Sequence, residues 1–391
     1  MRTIPQIESR RAELVAWRHD LHAHPELAYE ERRTAAFVAA QLRSYGLDVH
    51  EGLARTGVVG TLAAGPGPKV ALRADMDALP IEEGNDFDYR SRYAGKMHAC
   101  GHDGHTTMLL GAARHLAEHS AALRGTVQFV FQPAEEAAGG ARVMIEEGLF
   151  ERFPVDAVFG MHNWPGVPVG RFAMRTGPIM ASLDTFDIRV TGRGTHGALP
   201  HHGVDPVLAA AEIVAVLQSV VSRNVDPLEA AVVSVTKIHG GDAHNVIPES
   251  VELGGGIRCF EPVVREDLKR RLSLVAANTA AALGAHAAVE FGAGYPAVVN
   301  AAVETDLAAS AAASLVGPAG VDTAVRPVLA SEDFAYMLER RPGCYAFIGN
   351  GDTPGNCMIH NPEYDFNDEI LTLGASYWAR LAEAFLARPL A

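Results

Sequence analysis

Apolar residues recur at helical spacing from Pro5 to Leu21 and again from Glu30 to Tyr45, where Gly46 ends the run. Both stretches are predicted to be helices. Short apolar runs at Gly57–Leu62 and Lys69–Ala74 predict strands. A helix is expected to begin near Gly104, followed by a strand at Gly125–Phe131, a helix at Gly140–Glu147 and a strand at Val155–Gly160. This alternation predicts an α/β layer around a central, mostly parallel sheet, with the chemistry at the C-terminal ends of its strands.

The pattern changes after Leu183. Asp184–Thr191 alternates as a strand, Asp205–Arg223 has helical spacing, and Ala230–Ile238 and Ser250–Arg258 alternate again. Val263–Leu283 is helical and His286–Phe291 is a last strand. The order β-α-β-β-α-β is the ferredoxin-like arrangement, and helix–strand alternation resumes from Glu304. The expectation is a catalytic domain in two parts, 1–182 and 294–391, interrupted by an inserted domain at 183–293. A length of 391 residues exceeds the size at which one core usually stops growing, which agrees with two domains.

Hydrophobic residues make up 48% and charged residues 20% of the chain, an ordinary balance for a globular protein. A formal net charge of −14 argues against nucleic acid or an anionic membrane as the main partner. The N-terminal Met1-Arg2-Thr3-Ile4-Pro5 has no apolar signal core, and no apolar run approaches the roughly 20 residues that span a bilayer. Cys100, Cys259, Cys344 and Cys357 are too widely spaced for a disulfide scaffold, so a reduced, cytoplasmic setting is expected.

Four segments carry candidate chemistry. Cys100-Gly101-His102 stands just before the predicted helix, and Glu135-Glu136 follows the strand ending at Gln132-Pro133. His162 follows the strand Val155–Gly160, and His360 sits in a Gly/Pro-rich loop. Thiolate, imidazole and carboxylate together make a ligand set for zinc-like divalent ions. One carboxylate of the pair can bind metal while its neighbour acts as a base, the composition of a hydrolase that activates water. On an extended segment the two would point to opposite sides. A lone Cys, His or acidic pair has a bland structural reading, and His162 and His360 taken singly favour it. The Cys-x-His and Glu-Glu clusters together favour metal. His98 and His105 read as structural or supporting residues. Asp75 and Asp77 could ligate metal or hydrogen-bond the ligating imidazoles, and Asp77 is assigned the second role.

These residues belong to longer motifs: Asp75-Met76-Asp77-Ala78-Leu79-Pro80, Cys100-Gly101-His102-Asp103-Gly104-His105, Gln132-Pro133-Ala134-Glu135-Glu136, Thr195-His196-Gly197-Ala198-Leu199-Pro200-His201, Asn245-Val246-Ile247-Pro248, Ser331-Glu332-Asp333-Phe334 and His360-x-x-x-Tyr364-Asp365-Phe366. In this order they resemble the hippurate hydrolase and N-acyl-amino-acid amidohydrolase branch of the dinuclear metal exopeptidases. Aminoacylase, carboxypeptidase G and auxin-conjugate hydrolases are other members. The resemblance spans nearly the whole chain. One departure is Gly254-Gly255-Gly256, where the family often has a Thr.

The resemblance implies an α/β catalytic domain interrupted by a lid and dimerisation domain. It places Cys100, His102, Glu136, His162 and His360 on two divalent ions, whether Zn, Mn, Ni or Co. It makes Glu135 the general base and His196 the group that polarises the scissile carbonyl, reaching the partner subunit's site. Asn245 and Arg258 would hold the carboxylate of a small N-acyl amino acid. The implied assembly is a homodimer through the lid, or a tetramer. Two other readings are a dipeptidase or aminopeptidase on the same site, and a metal-binding relative without turnover. An anchoring Arg258 and a retained Glu135 favour the amidohydrolase.

Overall fold

The structure, a computed structural model, describes residues 2–352 and 357–389. It divides into two compact units, one comprising 1–179, 299–326 and 333–391, the other 180–298 and 327–332.

The first unit is built on an eight-stranded sheet. Its centre is four parallel strands in the order Thr126–Gln132, Lys69–Asp75, Ala157–Pro165 and Gly343–Gly351. Antiparallel Gly57–Ala63 and Asp48–Leu53 extend one side; the short Phe172–Ala173 and Val321–Asp322 extend the other. Because the central strands are covered on both faces, successive positions are buried alike: Val127, Gln128, Phe129, Val130 and Phe131 in one strand, Val158 and Phe159 in another. Helices His102–Glu118 and Leu371–Leu386 add Met108, Leu109, Leu116, Leu371, Leu373 and Trp378 to the same core. Each large apolar side chain buried there contributes about 1.5–3 kcal/mol.

Several boundaries differ from the sequence expectation. The first helical stretch is two helices, Pro5–Glu8 and Arg11–His22, because the Ser9 hydroxyl donates back to the Gln6 carbonyl and competes with helix continuation. The strand expected at Val155–Gly160 runs from Ala157 to Pro165, so His162 lies within it. Pairing with Gly343–Gly351 carries the ladder past the apolar run, setting His162 opposite Phe347 and Asn163 opposite Ile348. The helix expected near Gly104 starts at His102.

In the second unit, four strands lie in the order Ala231–His239, Ser250–Cys259, Asp184–Thr191 and His286–Phe291, all antiparallel. Along the chain these four strands and the two long helices alternate β-α-β-β-α-β, with the two-residue strands Thr195–His196 and Val246–Ile247 paired apart from the sheet. Phe186, Ile188 and Val190 face inward at strand period two, against Ala209, Ile213, Leu217 and Val220 of one helix and Leu268, Leu272, Ala276 and Ala280 of the other. The Gly254–Gly256 run is paired on both sides, and at Gly255 a Cβ would lie 2.0 Å from the Ser234 carbonyl oxygen and 2.5 Å from the Phe186 ring. Glycine is what this strand position admits. Helix Pro206–Asn224 starts at Asp205, whose carboxylate accepts from Val207 N–H at 2.8 Å. Its 19 residues are long and apolar enough by composition to cross a membrane, which the run-length reading passes over because exposed Glu212 interrupts the run. Its inward stripe packs on the sheet of its own unit.

Candidate metal centre

The C-terminal ends of three adjacent parallel strands supply the centre. Strand Lys69–Asp75 delivers Asp75 and Asp77, Thr126–Gln132 leads into Glu135 and Glu136, and Ala157–Pro165 contributes His162. The turn into helix His102–Glu118 adds Cys100 and His102. It requires Gly101 at φ 95°, since a Cβ there would meet Asn163 Oδ1 at 2.2 Å and Tyr364 Oη at 2.8 Å. His360 enters from its loop, held by its own N–H on the Ala99 carbonyl at 2.7 Å.

These side chains form overlapping groups whose donor atoms lie within 4.8 Å of one another: Cys100, His102 and His162; Cys100, Glu136 and His360; His102, Glu135 and Glu136; and Asp75, His102 and His105. Cys100 Sγ is 3.3 Å from His162 Nε2, and Glu136 Oε1 is 3.3 Å from His360 Nε2 and 3.8 Å from His102 Nε2. The ring orientations are fixed from behind. His102 Nδ1 donates to the Asp77 carbonyl at 2.8 Å and His162 Nδ1 to the Asn163 carbonyl at 2.6 Å, so Nε2 of each ring is the atom turned toward the cluster. Among the described residues, buried His102 Nε2 and Glu136 Oε1 have no hydrogen-bond partner. Two converging orphaned donors, beside a thiol and further imidazoles, fit a divalent cation.

Electrostatics in the protein alone agree. Burial, reinforced by the Glu136, Glu135 and Asp75 carboxylates, pushes the Cys100 thiol well above its usual range. Burial alone would favour a neutral His102, but the Asp75, Asp77 and Glu136 carboxylates outweigh it and hold the ring up to about 10. The cluster thus carries surplus negative charge that favours a cation.

Sequence reasoning had Glu135 and Glu136 extended; they form the first turn of a short helix, Glu135–Ala138, after Ala134 adopts φ 57°. The reversal places Glu136 N–H on Asp77 Oδ2 at 3.0 Å, while Glu135 Oε1 accepts from Asp333 N–H at 3.3 Å. The imidazole support assigned to the Asp77 side chain comes chiefly from its main-chain carbonyl; its Oδ1 lies farther off, at 3.4 Å from His102 Nδ1. Asp75 and His105, which the sequence left in open or supporting roles, are in the cluster. Asp75 accepts from His105 Nδ1 at 2.6 Å and from Arg73 at 2.6 Å, and Arg73 also reaches Asp333 at 3.1 Å. Arg73 was not singled out, although a charged residue inside an apolar strand run was its signal.

The other predicted residues belong to the second unit. His196 is exposed, on a two-residue strand paired with Val246–Ile247, and its Nδ1 accepts from Ala198 N–H at 3.0 Å. Asn245 lies beside it, with Gly197 N–H on its carbonyl at 2.7 Å. Arg258 donates to the Leu329 carbonyl at 2.7 Å.

The profile of peptidase family M20/M25/M40 matches residues 71–384. The chain is 40% identical over 387 residues to the hippurate hydrolase of Campylobacter jejuni subsp. jejuni, covering 99% of this chain and 100% of that protein. It is 42% identical over 371 residues to an N-acetyl-L-cysteine deacetylase of Bacillus subtilis, covering 94% and 86%. The crystal structure of the Bacillus subtilis YXEP protein, described as a dinuclear metal binding peptidase, superposes with a TM-score of 0.84 at 35% identity, covering 97% and 99% of the two chains.

Proposed function

This chain belongs to peptidase family M20/M25/M40, and from that premise we propose that it hydrolyses the amide bond of N-acyl amino acids, of the hippurate or N-acetyl kind, to a carboxylic acid and a free amino acid. It is a metal-dependent amidohydrolase. The observation that carries the reading is the convergence of Cys100, His102, Glu136, His162 and His360, with Glu135 alongside. These five residues would hold two divalent ions, and a mixed sulfur, nitrogen and oxygen set suits Zn, Mn, Ni or Co. When bound, such ions supply Lewis-acid polarisation of the carbonyl and a water acidic enough to ionise near neutral pH.

Glu135 takes the proton of the attacking water and returns it to the departing amine. His196 donates to the developing oxyanion. The Ala198 N–H on Nδ1 supports this, because a neutral ring then carries its proton on exposed Nε2. In this reading residues 183–293 form a lid and dimerisation domain, and His196 serves the partner subunit of a homodimer. Free cysteines at 100, 259, 344 and 357 support a reducing cytoplasmic setting.

Asn245 and Arg258 hold the substrate α-carboxylate, Arg258 through a charge-assisted contact. An N-acyl amino acid is therefore expected to exceed its methyl ester in kcat/KM by roughly tenfold or more, a hydrogen bond to a charged group being worth about 1.5–3 kcal/mol. Arg258→Ala should shrink that ratio. Equal kcat/KM for acid and ester would remove the cationic anchor from the account.

A further inference from the structure

Of the five non-glycine residues at positive φ among the described residues, Tyr29 (φ 64°), Ala54 (47°), Arg55 (73°), Ala134 (57°) and His360 (65°), two donate their N–H to one buried carboxylate, Glu31, and two more immediately precede a third donor to it. Glu31 Oε1 accepts from both Tyr29 N–H at 3.0 Å and Ala134 N–H at 2.9 Å. Its Oε2 accepts from the hydroxyl of Thr56 at 2.6 Å, the residue that follows left-handed Ala54 and Arg55. Glu31 is fully buried, at the start of helix Arg32–Ser44. L-residues rarely adopt this conformation because Cβ crowds the carbonyl, so something must hold it.

Ala134 is the residue at which the chain leaves strand Thr126–Gln132 and turns into Glu135–Ala138. The turn is also closed by Gly140 N–H on the Ala134 carbonyl at 3.0 Å. Its handedness decides where Glu135 and Glu136 point. We infer that Glu31 is a positioning residue for hydrolysis: by binding the Ala134 N–H it holds the left-handed turn that aims Glu135 and Glu136 into the metal centre. This rests on the proposed roles of those two carboxylates.

Two N–H groups on one oxygen and a hydroxyl on the other require an acceptor at Oε1 but not a charge. Burial pushes the Glu31 carboxyl up to about 7, against the Thr56 hydroxyl and with the Asp77 carboxylate adding to the rise, so the neutral acid is accessible. A glutamine fits the same partners, with its carbonyl on the two N–H groups and its amide facing a rotated Thr56 hydroxyl.

The test uses the metal-loaded, full-length protein and an N-acetyl or N-benzoyl amino acid. Glu31→Gln is expected to keep kcat within about threefold of the unaltered protein, whereas Glu31→Ala should lower kcat by about 10²-fold with KM changed little, the scale expected for a misaimed catalytic group. Adding Ala134→Gly, which makes the left-handed turn intrinsically accessible, should restore at least about tenfold of that kcat. Tyr29→Gly relieves the other left-handed residue on the same oxygen and should restore none. Should Glu31→Ala fail to fold, Glu31→Asp, one methylene shorter, takes its place in the same comparison. Unaltered kcat in Glu31→Ala, or equal rescue by Tyr29→Gly and Ala134→Gly, overturns the inference. An unaltered protein that hydrolyses no N-acyl amino acid overturns the hydrolase reading instead.

Discussion

Glu135→Gln is expected to lower kcat on an N-acyl amino acid by about 10²–10⁴-fold, the usual contribution of a positioned proton carrier, with metal content unchanged. Glu136→Gln is expected to lose activity and metal together. The two neighbours differ in surroundings. Glu136 Oε1 is buried without a hydrogen-bond partner among the described residues, 3.3 Å from His360 Nε2 and 3.8 Å from His102 Nε2, as an inward-aimed ligand would be. Glu135 is steadied by the main-chain N–H of Asp333, whose carboxylate is in turn fixed by Arg73 and by Gln132 Nε2 at 2.8 Å. Elemental analysis beside kcat for each variant decides the matter. The opposite pattern would exchange the two roles, and full activity in both would take the pair out of the chemistry.

Mixing inactive His196→Ala protein with inactive Glu135→Gln protein should bring activity back. In a two-fold dimer whose His196 serves the other subunit, a mixed dimer contains one site with Glu135 and His196 both intact. Random exchange makes half of the dimers mixed, so about a quarter of the unaltered activity should return. Mixed dimers verified by two affinity tags and still inactive would mean that His196 serves its own subunit or has no catalytic role.

The strand pattern was legible because the central strands are buried on both faces: Val127–Phe131 and Lys69–Ala74 read as mostly apolar runs, broken only by Gln128, Lys69 and Arg73. The second unit was legible for the opposite reason, since Asp184–Thr191 alternates residue by residue. What failed lies where backbone geometry departs from side-chain periodicity. The end of strand Ala157–Pro165 carries His162, Asn163 and Trp164, side chains chosen for the site rather than for a core, so the apolar signal stops before the ladder does. Helix Glu135–Ala138 follows a left-handed alanine, a conformation that no local signal announces because a distant Glu31 imposes it. Among the candidate site residues, spacing and residue type suggested Cys100, His102 and the Glu pair, which the structure brings together with His162 and His360. Asp75 and Arg73 depended on pairing across the sheet, which a linear pattern does not display.

The most direct measurement is hydrolysis of an N-benzoyl or N-acetyl amino acid by protein stripped of metal with a chelator, then reloaded with Zn, Mn, Ni or Co singly. Activity is expected to fall below about 1% of the starting value in the stripped protein, to recover with at least one ion and to saturate near two ions per subunit. Full activity in protein verified to be metal-free would contradict metal dependence.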